Sequence, residues 1–140
     1  MQPRGVPASI AFAVAGDPVP QPRPRVSTVG GYGRAYVPKT HAVHAYRQAV
    51  ADAAEAAGCE PHGEPVNVVI DLVFARPRSH LRKSGVRPGA PVLPRCDLDN
   101  CAKAVLDALN GVAWVDDSQV SRLVVEKSYG SEGRTTVRIS

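Results

Sequence analysis

Apolar positions along the chain change period several times, and each change predicts an element. Ile10, Phe12 and Val14 alternate with small residues over 9–15, which predicts a half-buried strand. Gly16 to Arg25 carries Pro18, Pro20, Pro22 and Pro24, so it is extended and cannot be a central strand. Residues 26–29 and 34–37 flank Gly30-Gly31-Tyr32-Gly33 and predict a hairpin. Thr40 is placed to cap a helix over 41–57. Val43, Tyr46, Val50, Ala53, Ala54 and Ala57 share one face of it, and Gly58 suits its stop. Residues 65–74 form a nearly continuous β-branched run, which predicts a central strand covered on both faces.

Residues 98–109 return to helical spacing, with Leu98, Ala102, Val105, Leu106 and Leu109 as the apolar stripe and Asn110-Gly111 as the stop. A short extended piece surrounds Trp114, which reads as a core or dimer-contact residue rather than a base-stacking one. Strands are expected over 120–128 and 134–139, joined by Gly130-Ser131-Glu132-Gly133, the second alternating Thr135, Val137 and Ile139 with polar positions. The mixed order of elements predicts an α+β fold: one domain over 1–140, with a small mixed β-sheet packed with two main helices. There is no internal repeat.

Composition narrows the function classes. Apolar residues make up 44% of the 140, which excludes global disorder. No apolar run reaches the length of a membrane span, and the N-terminal alternation reads as a strand rather than a secretion signal. The expected location is therefore the cytoplasm, with no membrane partner. The formal charge of +4 favours a polyanionic partner. Three cysteines do not form a disulfide framework. Cys59-x-x-His62 and Cys96-x4-Cys101 could be forced into a zinc site, but there is no CxxC pair and Cys101 falls within a helical stretch, so free thiols are the simpler reading.

Within this basic chain, carboxylates cluster in Asp97-Leu98-Asp99-Asn100-Cys101-Ala102-Lys103 and in Asp116-Asp117-Ser118-Gln119. One acid at a helix start is an ordinary cap. A pair there, followed by more acids one turn after the helix, matches what magnesium asks for: one or two carboxylates completed by water and a phosphate. Lys103 lies four residues after Asp99 on the same helix face. It reads either as an i,i+4 ion pair or as a cation that helps the reaction beside the metal. Asp107 continues that face, either pairing with Lys103 or lying outside the site. Asp71 reads as auxiliary to the metal site or as a solvent-facing strand residue. Immediately before the acids, residues 76–95 hold Arg76, Arg78, Arg82, Lys83, Arg87 and Arg95 with four prolines and no acid. This is a basic, mobile loop suited to phosphate contacts. Arg23, Arg25, Arg34 and Lys39, with Tyr32 and Tyr36 among them, form a second candidate contact region.

The run from Asp97 through Asn110-Gly111, then Trp114-Val115-Asp116-Asp117-Ser118-Gln119-Val120, resembles the signature of the RusA family of Holliday junction resolvases, endonucleases often encoded by phages or prophages. The resemblance is specific over residues 95–128, including Lys127. It implies a homodimer that binds branched DNA, resolves four-way junctions by paired symmetric nicks in recombination and repair, and uses Mg2+, for which Mn2+ may substitute, with no small-molecule cofactor. It implies Asp97, Asp99 and Asp117 as metal ligands and Lys103 as the essential lysine, all four catalytic, and leaves Asp116 open as a neighbour. The alternatives are a non-catalytic structure-selective DNA-binding module and a nuclease for flaps or forks.

Overall fold

The computed structural model describes residues 9–22, 25–31, 33–36, 38 and 41–140. Four strands form the main sheet: β1 (Ile10–Ala15), β4 (Val66–Ala75), β7 (Val120–Gly130) and β8 (Arg134–Ile139). Their order across the sheet is β1-β8-β4-β7. β8 runs antiparallel to both its neighbours, whereas β4 and β7 are parallel. A parallel pair needs a crossover, and the helix α2 (Leu98–Leu109) supplies it. Two small hairpins complete the strands: β2 (Arg25–Ser27) with β3 (Arg34–Tyr36), and β5 (Leu81–Arg82) with β6 (Gly85–Val86). The α+β expectation holds. Among the described residues, no helix is long and apolar enough to cross a membrane.

The core lies between one sheet face and two helices, α1 (Ala42–Ala56) and α2. Val66, Val68, Ile70 and Leu72 of β4 meet Val43, Val50 and Ala54 of α1 and Cys101, Val105 and Leu109 of α2. The other sheet face is open, contrary to the two-sided covering expected for β4. Its residues alternate buried and exposed, and Val69 keeps 42% of its surface in solvent. A β-branched residue fits a pleated surface whether or not that surface is covered, so the run of valines could not distinguish the two cases.

Local chemistry sets the remaining boundaries. His41 caps α1 by accepting the Val43 amide on Nδ1 at 3.1 Å. The expected cap, Thr40, lies outside the described residues. After α2, Gly111 adopts φ +79, which returns the chain so that its amide donates to the Trp114 carbonyl at 2.8 Å and leaves Trp114 fully buried. Trp114 is thus a core residue. One buried polar pair spans the core: the Tyr46 hydroxyl and Thr135 Oγ1 lie 2.5 Å apart.

The last connection is unusual. β7 and β8 follow one another in sequence, yet β4 lies between them in the sheet. Ser131 to Gly133 therefore cross the end of β4. Glycine permits this, because a Cβ at Gly133 would collide with the backbone of Asp17. Gly133 O also accepts the Gly16 amide at 3.0 Å, and Asp17 Oδ1 accepts the Ala75 amide at 2.8 Å.

Candidate functional site

Asp97 occupies the N-cap position of α2 with extended backbone (φ −68, ψ 122), yet its side chain makes no capping bond. Its nearest polar contact is a long one, 3.4 Å from Asn100 Nδ2. Asp99 stands in the first turn. Both carboxylates are exposed. The capping role that would account for an acid here is left unfilled, so the two groups are available to a ligand.

They line an open cleft of about 650 Å³ between the start of α2 and β7. Arg95, Cys96, Leu98 and Ala102 form the helix side, and Leu123, Val125 and Lys127 form the strand side. The strand residues follow from period 2: Leu123, Val125 and Lys127 point the same way and share a sheet face with their β4 partners Val68, Ile70 and Leu72. Lys127 Nζ donates to the Cys96 carbonyl at 2.8 Å. The Gln21 amide of the proline-rich segment donates to the Asn100 carbonyl at 2.9 Å, so that segment is tied to the same end of α2. Cys101 is buried just inside the helix. Burial pushes its thiol up to about 12, helped by Cys96 and opposed by the nearby charge of Lys127. Among the described residues the three cysteines are free, in keeping with the thiol reading.

The second acidic stretch is differently employed. Asp116 Oδ2 accepts the Ser118 hydroxyl at 2.5 Å, and that bond holds its carboxyl below the usual range. Asp117 Oδ1 accepts the Trp114 indole N–H at 2.7 Å. Gln119 accepts the amides of Val115 and Asp116 on Oε1, each at 2.9 Å, and its Nε2 donates to the carbonyls of His62 at 2.6 Å and Glu64 at 2.9 Å. Much of this motif is therefore a structural knot that fixes the start of β7.

The expected convergence of Asp97, Asp99 and Asp117 does not occur within one chain. Among the described residues, no group of three or more His, Cys, Asp or Glu side chains is placed to hold a metal ion. The sheet explains this. Asp117 precedes β7, while the cleft acids lie against Leu123 to Lys127. At ~3.3 Å per residue, that is roughly 10–23 Å beyond the start of the strand. Two carboxylates with water and a phosphate still match the oxygen set that magnesium takes.

Other candidates fall on both sides. Lys103 is exposed one turn after Asp99 and outside the cleft lining. Asp71 is exposed in the alternation opposite to Ile70 and Leu72, on the open sheet face and outside the cleft lining of its own chain. Asp107 lines a separate groove between the helices with His44, Arg47 and Gln48. Residues 76–95 carry structure of their own. Arg76 lies 4.4 Å over the Tyr129 ring and donates to the Pro91 carbonyl at 2.9 Å, and Arg87 donates to the Ser79 carbonyl at 2.8 Å. These two cations build the loop, while Arg78, Arg82, Lys83 and Arg95 are exposed. Arg25 lies in β2; Arg23, Tyr32 and Lys39 lie outside the described residues. Lys127 was not among the expected site residues. Its signal was a lysine on the apolar face of an alternating strand.

The family model described as Endodeoxyribonuclease RusA matches residues 15–140. A protein of Bacillus subtilis (strain 168) named Uncharacterized protein YqaN is 33% identical over 150 aligned positions, covering 93% of this chain and 94% of the relative.

Proposed function

This chain belongs to the RusA endodeoxyribonuclease family, and from that premise we propose that it is a magnesium-dependent endonuclease that resolves four-way DNA junctions. The observation that carries the reading is the uncommitted pair Asp97 and Asp99, placed in a cleft whose other polar groups are Arg95 and Lys127. A helix start that needed only a cap would have used Asp97 as one.

Asp97 and Asp99 would hold the divalent ion. When bound, that ion supplies Lewis-acid polarisation of the phosphate and a water activated for in-line attack. The protein's own groups do the rest. Arg95 meets the phosphate beside the acids, and Lys103 places a second cation one turn further along α2. Arg78, Arg82 and Lys83 hold the flanking backbone through salt-sensitive contacts.

Paired cutting needs two clefts, hence a homodimer. A dimer also offers Asp117 a place as third ligand, brought by one copy to Asp97 and Asp99 of the other. Asp117 keeps Oδ2 outside its bond to Trp114, so it can serve both purposes.

The test is cleavage of a synthetic four-way junction with magnesium, beside a panel of flaps, forks and linear duplex. Wild type cuts the junction in preference, and Asp99→Asn does not cut. Equal cleavage by both proteins overturns the assignment. Preference for flaps or forks replaces the junction substrate with those.

A further inference from the structure

Lys127 has no assigned part in this site, and its geometry points to one. It lies in β7 opposite the fully buried Leu72, on the face that packs against the helices. A lysine there runs its apolar stem through the packing and needs a partner for its head. The partner is the Cys96 carbonyl, at 2.8 Å. A lysine satisfying a stray carbonyl is ordinary in itself. Here the carbonyl belongs to the residue directly before Asp97, and Asp97 has no capping bond of its own to hold it.

We propose that Lys127 is the positioning residue of the acidic site, pinning the Cys96 carbonyl so that Asp97 leaves the chain at the correct angle into the cleft. The inference rests on the metal-site reading above. The first helical hydrogen bond of α2, from the Cys101 amide to the Asp97 carbonyl at 3.1 Å, begins one residue after the pinned carbonyl. Two ammonium protons are left over. Lys127 lines the same cleft as Asp97 and Asp99, so its positive charge stands in the space the two acids face. The pin acts from outside the ligand set, as partners behind metal ligands commonly do, and losing such a partner costs ~10–100-fold in metal affinity.

The experiment uses the full chain as wild type, Lys127→Met and Lys127→Arg. Methionine keeps the stem and loses the donor; arginine keeps donor and charge. Three quantities are read: hydrogen exchange of the Cys101 amide without metal, Mn2+ affinity by calorimetry, and affinity for a four-way junction without metal. The expected result is faster Cys101 exchange and ~10-fold or more weaker Mn2+ binding in Lys127→Met, with metal-free junction affinity within about twofold of wild type, and recovery in Lys127→Arg. The proposal is overturned if Lys127→Met keeps wild-type exchange and Mn2+ affinity. It is equally overturned if only junction affinity falls, since Lys127 would then be a plain phosphate contact. If wild type itself binds no Mn2+, the metal-site reading fails separately, and Cys101 exchange still decides whether the pin exists.

Discussion

The indole N–H of Trp114 donates to Asp117 Oδ1 across 2.7 Å, which ties a fully buried ring to a half-buried acid. The bond explains why Asp117 need not move to be ordered. It also predicts that two substitutions part company. Asparagine still accepts the indole proton, so Asp117→Asn melts near wild type while losing cleavage. Alanine leaves a buried donor unpaired, so Asp117→Ala also loses about 1–3 kcal/mol of stability, read by thermal or denaturant unfolding.

A mixed dimer tests where the third acid comes from. One copy carries Asp99→Asn and the other Asp117→Asn, purified through two different tags. If Asp117 crosses between copies, one cleft is wholly wild type and the mixed dimer nicks one strand of a junction. If each cleft is built from one chain, both are damaged and nothing is cut. The readout is nicked junction on a denaturing gel.

The buried hydroxyl pair predicts non-additive stability. Tyr46→Phe leaves Thr135 unpartnered in the core and costs about 1–3 kcal/mol, whereas adding Thr135→Val removes the orphan and recovers much of the loss. Burial raises the Tyr46 phenol to about 12 from its ordinary 10.0. Below pH 10 the phenol is neutral in both states and this contribution is fully present. Above it the unfolded chain ionises first, so stability falls as pH rises from 10 toward 12, by on the order of 2–3 kcal/mol. Tyr46→Phe flattens that part of the curve.

The loop cations separate by role. Arg82→Ala and Lys83→Ala each lower DNA affinity and reduce the slope of log affinity against log salt by about one, with the fold unchanged. Arg76→Ala loosens the loop itself, because it removes the contact with Tyr129 and the bond to the Pro91 carbonyl. It therefore raises trypsin cleavage within residues 78–87, which Lys83→Ala does not.

Gly133→Ala forces a methyl group into the backbone of Asp17 and disturbs the bonds that join β1 to the end of β4. The expected loss is roughly 2 kcal/mol or more, seen as a lower melting temperature. Ala at Gly63, where a Cβ meets nothing within 4 Å, is the control.

Much of this was legible from spacing alone. The helix predicted over 98–109 is α2, and the strand expected over 134–139 is β8. Both have clean periods and clear stops. The acids at the start of α2 were legible for the same reason, since a helix boundary places Asp97 and Asp99 together. What spacing could not convey was distance across the sheet. The separation of Asp117 from Asp97 depends on how far β7 runs past α2, which is a tertiary quantity. Asp71 could not be assigned to a face until the open side of the sheet was known. The roles of Arg76 and Arg87 depended on Tyr129 and Ser79, partners that no charge count reveals.

The insertion of β8 between β1 and β4 has a kinetic consequence. Everything that carries the acids, from β4 through α2 to β7, is contiguous over residues 66–130 and can assemble on the growing chain. β1 cannot join it, because among these strands its hydrogen-bonded neighbour is β8. A ribosome still holding residues 134–139 in its exit tunnel thus holds back the closing of the sheet. Ile10 and Ile139 pair although they lie far apart in sequence, and loop-closure entropy makes such contacts slow. Folding therefore proceeds in two stages, with the acid-bearing unit formed first and β8, the strand that joins it to β1, zipped in once residues 134–139 have emerged.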